Sequence, residues 1–226
     1  MINLGVRSRA AILFGCAALG AASIGGTAVA AAPVAHRTPA PSGPQGGYVV
    51  TPQHFRSARL EVRVPVLHCA QTADRSVRVG IFGHTRYQQS TTPWFVAVTA
   101  ACRAGQARYR AGFGDGYPMA VHAGDLVRLI ADSGSTFEID NLTTGAGTGG
   151  AAGSPGKMTT LPRVVLGGRR SGAALHVGVA ITRAAVNGHA ISAVPHHRQR
   201  QVVGGATAVA ASAVTEHGTA FDLAIR

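Results

Sequence analysis

The sequence predicts an all-β domain in which two antiparallel sheets pack face to face. Three observations carry this reading. Apolar residues recur with a period of two in several separate stretches, Gly, Pro and Asn clusters interrupt them at short intervals, and no segment has an amphipathic helical pattern with caps at both ends. Each half-buried sheet must cover its apolar face with another layer, and at this length a sandwich satisfies that requirement.

The chain opens with Arg7 and Arg9, followed by an apolar run from Ala10 to Val29 that ends in Ala28-Val29-Ala30-Ala31-Ala32. This is the pattern of an export signal with a small-residue cleavage site, so residues 1–32 are expected to be removed and the protein to be secreted. Gly20, Gly25 and Gly26 break the run and argue against an uncleaved anchor. Cleavage near Cys16, in the manner of a lipoprotein, would leave an apolar segment attached. Residues 33–46 carry Pro33, Pro39, Pro41 and Pro44 and read as a flexible lead-in, which places the domain at 47–226.

Within the domain, Leu60, Val62, Val64 and Val66 share one face, opposite Glu61 and Arg63. The same alternation recurs in Val77, Val79 and Ile81, and in Phe137 and Ile139 against Glu138 and Asp140. It returns in Leu175, Val177, Val179 and Ile181, and in Phe221, Leu223 and Ile225. Residues 145–156 are rich in glycine and read as a loop.

Once the signal is gone, Cys69 and Cys102 are the only cysteines, and in an oxidising compartment a disulfide between them is expected; two buried free thiols are the alternative. The 21 basic and 9 acidic residues give a formal charge of +12, which falls to +10 without Arg7 and Arg9. Such a charge favours polyanionic partners. Lys157 is the only lysine, and the arginines are scattered rather than collected in one run, as an Arg-, Ala- and Gly-biased composition alone would produce. No nucleic-acid recognition motif accompanies them, so no specific nucleic-acid partner is expected.

An ordered set of short stretches carries a resemblance. Gly47-Tyr48-Val49, Val64-Pro65-Val66-Leu67-His68-Cys69 and Val79-Gly80-Ile81-Phe82-Gly83 are followed by Val98 to Cys102, Tyr109-Arg110-Ala111 and Tyr117-Pro118. Gly124-Asp125, Thr136-Phe137-Glu138-Ile139, Ala210 to Val214 and Gly218-Thr219-Ala220-Phe221 complete it. Together these resemble the eqolisins, the glutamic peptidases, in their secreted bacterial form. The resemblance implies a concanavalin A-like sandwich of two curved antiparallel sheets with a substrate groove on the concave side. It also implies a glutamate that acts as general base and then general acid, beside a glutamine amide that stabilises the oxyanion.

This chain departs from that pattern at both positions. Where the glutamine is expected it reads Pro93-Trp94-Phe95-Val96-Ala97-Val98; using Gln88 or Gln89 instead would need a register slip that exchanges buried and exposed positions. At the glutamate position stands Asp115, within Gly114-Asp115-Gly116, one methylene shorter and preceded by a one-residue insertion that either bulges the strand or turns the side chain to the other face. A Gly-Asp-Gly sequence also serves as a plain turn. Positions where the family carries tryptophan are Gln45, Val62, Arg78 and Gly112. The groove aromatics that remain are expected to be Trp94, Phe95, Phe113 and Tyr117.

Other chemistry is excluded on its own terms. Gly145, Gly147 and Gly150 satisfy G-x-G-x-x-G, but no helix pattern follows. His196-His197 lacks a Cys or carboxylate to complete a metal set and reads as a solvated loop beside Arg198 and Arg200. No G-x-S-x-G or H-E-x-x-H is present. Neither a metal nor another cofactor is expected.

The reading is therefore a secreted, monomeric eqolisin-like sandwich without peptidase activity that binds an extracellular polypeptide or cell-wall polymer, with no membrane contact after signal cleavage. The alternative is a divergent acid endopeptidase with Asp115 as general acid/base. A lectin-like module would need aromatic platforms, and Phe, Trp and Tyr make up only 5% of the chain.

Overall fold

The computed structural model describes residues 42–226 except 70–72, 88–89, 134–135, 152–158, 161 and 216. The expected signal peptide and most of the lead-in lie outside the described residues, as do Gln88, Gln89 and Lys157.

The strands are β1 (Ser42–Gly43), β2 (Gly46–Val50), β3 (Ser57–Arg63), β4 (Arg75–Tyr87), β5 (Ser90–Arg103) and β6 (Gln106–Phe113). After them come β7 (Gly116–Ala120), β8 (Leu126–Asp132), β9 (Thr136–Asn141), β10 (Gly147–Ala151), β11 (Thr159–Thr160) and β12 (Val164–Gly172). The remainder are β13 (Val177–Val186), β14 (His189–Ala190), β15 (His196–Val203), β16 (Ala206–Ala211) and β17 (Phe221–Ile225). Among the described residues the only helical element is a single 3-10 turn, Ile191–Ala193.

Two sheets form the sandwich. One runs in the order β7-β6-β5-β4-β12-β2-β15, and the other runs β10-β9-β8-β3-β13-β17-β16-β15. Strand β15 belongs to both. Its first half, from His196 to Gln199, pairs with β2, and its second half pairs with β16. The protein is thus an all-β sandwich whose two antiparallel layers are continuous along one edge.

The core lies between the layers and follows the period-two expectation. Val77, Val79, Ile81, Val96 and Val98 from the first sheet meet Leu60, Val62, Leu129, Ile139, Ile181 and Leu223 from the second, all at most 1% exposed. Val66 departs from its expected face and is 57% exposed: β3 ends at Arg63, and beyond it Val64, Pro65 and Leu67 are buried, so the alternation stops. Within the stretch read as a lead-in, Ser42–Gly43 pairs in parallel with Arg200 and Gln201. The glycine-rich stretch is a strand in part, since Gly147 to Ala151 pair antiparallel with β9 and close a hairpin. His196 and His197 also lie in a strand and not a loop, because β15 completes the hydrogen bonding of β2.

Two covalent or polar ties fix the frame. Cys69 and Cys102 form a disulfide that closes a loop of sequence separation 33. Asn141, 1% exposed, donates from Nδ2 to Asp125 Oδ2 at 2.6 Å and accepts at Oδ1 from the backbone N–H groups of Thr143 and Thr144. The buried Asp125 carboxylate also accepts from the His122 N–H at 2.8 Å.

Candidate functional site

The site lies on the outer face of the β7-to-β15 sheet, the face turned away from the core. Because the register of each strand pair is fixed, outward residues on neighbouring strands line up in rows across the sheet. Three rows matter.

The middle row contains almost no side chains. Gly47 of β2 opposes Gly167 of β12, Gly167 opposes Gly80 of β4, Gly80 opposes Ala97 of β5, and Ala97 opposes Gly112 of β6. These are close approaches and not merely small residues. A Cβ on Gly80 would lie 2.1 Å from the Val96 carbonyl oxygen, and one on Gly167 would lie 2.1 Å from that of Gly46. The result is a narrow trough crossing five strands, its floor residues buried.

On one side of the trough runs an apolar row: Val49, Val165, Phe82 and Phe95, again directly opposed strand by strand. Although outside the main core, Val49, Phe82 and Val165 are 0%, 5% and 7% exposed. On the other side runs a cationic row, in which Arg169 opposes Arg78, Arg78 opposes Thr99 and Thr99 opposes Arg110. Between the apolar row and Arg169 lies a cavity of about 300 Å3, whose walls include Gln45, His84 and Arg163.

Arg78 leans across the trough, its guanidinium carbon 3.9 Å from the centre of the Phe95 ring, a cation–π contact. There it meets Asp115. The β6–β7 turn brings the Asp115 carboxylate to the outer face, where Oδ1 accepts from Nη2 of Arg78 and Nη2 of Arg110, both at 3.3 Å. The turn is held by the Gly114 N–H donating to the Phe95 carbonyl at 2.8 Å, and the pairing of β6 with β7 carries a bulge between Ala111 and Phe113. Asp115 itself is 79% exposed. The Arg78 guanidinium is pushed below its ordinary value chiefly by burial, with Asp115 opposing the shift and the charges of Arg110 and Arg169 adding to it.

The expected groove aromatics separate. Phe95 faces the trough. Trp94 turns toward the core, where it stacks on Phe113 at 6.4 Å and fills the space left by Gly83, and it also borders the cavity that Phe82 and Phe95 line. Phe113 stacks in turn on Phe137 of the opposite sheet at 4.8 Å, and Tyr117 rests on the same ring at 5.2 Å at the margin of the sandwich. Neighbouring strand residues face opposite ways, so the rings of Trp94 and Phe95 diverge although both border that cavity. Three of the four positions tied to family tryptophans, Gln45, Arg78 and Gly112, do lie on the trough side, while Val62 is core.

Within residues 93–98 the outward side chains are Pro93, Phe95 and Ala97, and none carries an amide. An amide does stand at the far end of the middle row, since Gln199 of β15 opposes Gly47. Both of its ends are engaged: Nε2 donates to the Gln45 carbonyl at 2.8 Å and Oε1 accepts from Arg163 Nη2 at 3.1 Å. Gln199 also lies five strand spacings from β6, roughly 24 Å along the sheet, too far to act with Asp115. Among the described residues no cluster of three or more His, Cys, Asp or Glu side chains is placed to hold a metal ion.

Comparison with known proteins bears on the fold. No protein-family model matches the chain, and no curated protein matches it. Solved structures do. A crystal structure of scytalido-glutamic peptidase with a transition state analog inhibitor is similar over 80% of this chain and 98% of that one, with a TM-score of 0.53 and 11% identity. SCP-B, a member of the eqolisin family of peptidases in a complex with the tripeptide Ala-Ile-His, is similar over 80% and 97%, with a TM-score of 0.55 and 13% identity. This chain therefore shares the fold of the eqolisin structures.

Proposed function

We propose that this protein is a secreted member of the eqolisin family that has lost peptidase activity and uses the trough as an extracellular binding site for polypeptide. The observation that carries the reading is the state of Asp115, the one acidic residue at the trough among the described residues. Its carboxylate is 79% exposed and tied to Arg78 and Arg110, with no amide donor beside it among the described residues. Hydrolysis of a peptide needs a positioned water, a group that takes and returns its proton, and a preorganised donor for the oxyanion. At Asp115 the carboxylate instead serves as an ion-pair partner. Beside it lie features that suit a bound chain: a cavity with apolar walls at Phe82, Pro93 and Val165, and a row of arginine donors.

Secretion fits the leading sequence and the Cys69–Cys102 disulfide, and among the described residues no helix is long and apolar enough to cross a membrane. A second reading, a divergent acid endopeptidase that uses Asp115, is favoured by the position of that carboxylate on the trough side of the sheet. Incubating the purified chain with an unfolded protein at about pH 4, near the ordinary carboxyl range, beside Asp115→Ala separates the two. The expected result is no cleavage by either form. Cleavage lost in the variant would establish the endopeptidase.

A further inference from the structure

The trough is amphipathic across its width, and its cationic side is only partly neutralised. Arg169 and Arg78 stand directly opposite each other on β12 and β4, a like-charge pairing that costs stability wherever nothing compensates it. Asp115 compensates Arg78 and Arg110. Arg169 has no ion pair among the described residues, and it shares the cavity wall with Phe82, Val165 and Arg163.

We propose, building on the binding reading above, that the trough selects an extended acidic polypeptide segment. Its carboxylates pair with Arg169, Arg78 and Arg110, its apolar side chains enter the cavity bordered by Phe82, Pro93 and Val165, and Asp115 is the internal carboxylate it displaces. Guanidinium forks suit carboxylates because they donate two parallel hydrogen bonds. The apolar part of that cavity argues for polypeptide over other polyanions, since a polyphosphate or a sulfated sugar has nothing to place there. A nucleic acid would need an open aromatic face for its bases, and the face of Phe95 is already covered by Arg78.

The test measures binding of a labelled octapeptide of alternating Val and Glu, its Val–Gln counterpart and inorganic polyphosphate to the full mature chain. The Glu peptide is expected to bind at least about tenfold more tightly than the Gln peptide, and to weaken as salt is added. Arg169→Gln, a change at an exposed side chain that keeps the fold, is expected to lose about tenfold. Asp115→Asn is expected to bind more tightly, because the competing carboxylate is gone. Equal binding of the Gln peptide would overturn the inference while leaving a peptide-binding trough. Polyphosphate competing as well as the Glu peptide would replace the polypeptide by a bare anion, and binding of none of the three would overturn both this inference and the reading it rests on. Weaker binding by Asp115→Asn would refute the displacement.

Discussion

Gly80 and Ala97 oppose each other on β4 and β5 so closely that a Cβ built on Gly80 would lie 2.6 Å from the Cβ of Ala97. The obstacle is not only a side chain that could swing aside, because the Val96 carbonyl is nearer still at 2.1 Å. Gly80→Val must push two central strands apart, and it is expected to cost about 2 to 4 kcal/mol, at the upper end for overpacking. Urea unfolding of variant and parent checks it; a loss below ~0.5 kcal/mol would mean that the strands are not held this close.

The disulfide stabilises by limiting the unfolded chain. For a sequence separation of 33, the loop-closure estimate is about 3 to 4 kcal/mol. Replacing both Cys69 and Cys102 by Ala should lower the unfolding free energy by roughly that amount, while denaturant midpoints measured with and without a reductant should coincide for the variant alone.

Asn141 is expected to be the most sensitive polar residue in the frame. Asn141→Ala removes a hydrogen bond to the buried Asp125 carboxylate and leaves the Thr143 and Thr144 N–H groups without their acceptor. Losing a donor to a buried charge costs about 2 to 4 kcal/mol. Thermal unfolding of the variant reads this directly, and Asn141→Asp should be at least as harmful because it sets a second carboxylate beside Asp125.

Glu138 supplies a pH signature on the opposite face of the molecule. Its carboxyl is raised above the ordinary value, first by a hydrogen bond shared with Asp140, then by burial and by the charge of Asp140, with Arg128 and Arg59 opposing. A carboxyl raised in the folded state binds its proton more tightly there than in the unfolded chain. Its contribution is therefore present at low pH and lost as pH rises through the raised value. Glu138→Gln should gain stability relative to the parent as pH goes from about 3.5 to 7, and a difference in melting temperature that stays flat with pH would contradict the coupling.

Asp115 is expected to matter little for folding. Its ion pairs with Arg78 and Arg110 are both 3.3 Å long and largely solvated on the Asp115 side, and such pairs contribute about 0 to 1 kcal/mol. Asp115→Ala should melt close to the parent, which makes it a clean control for activity and binding.

Much of the frame is legible in the sequence because it rests on local alternation. Val77, Val79 and Ile81, or Phe221, Leu223 and Ile225, declare a buried face without reference to any other strand. The trough is not legible in that way. Gly47, Gly80, Gly112 and Gly167 are far apart in the chain and become a row only when β2, β12, β4, β5 and β6 take their register. The arginines behave likewise: Arg78, Arg110 and Arg169 read as scattered along the sequence, yet the pairing brings them to one line across the sheet. The aromatics show the opposite lesson, since Trp94 and Phe95 are adjacent in sequence and the pleat sends them to different sides. The insertion before Asp115 could be seen in the sequence, but only the bulge at Ala111 and Phe113 and the turn at Gly114 decide that its carboxylate reaches Arg78 and Arg110.

The most direct measurement of the central claim is a methyl NMR titration of the labelled chain with the Val–Glu octapeptide at about pH 7, where its carboxyls are ionised, followed by mass analysis of the peptide after incubation at about pH 4. The Ala97 methyl stands at the floor of the trough and the Val165 methyls at its wall, so both should shift while Val62, between the sheets, does not, and the peptide should be recovered intact. Shifts confined to the other face of the sandwich, or a cleaved peptide, would contradict a non-catalytic binding trough.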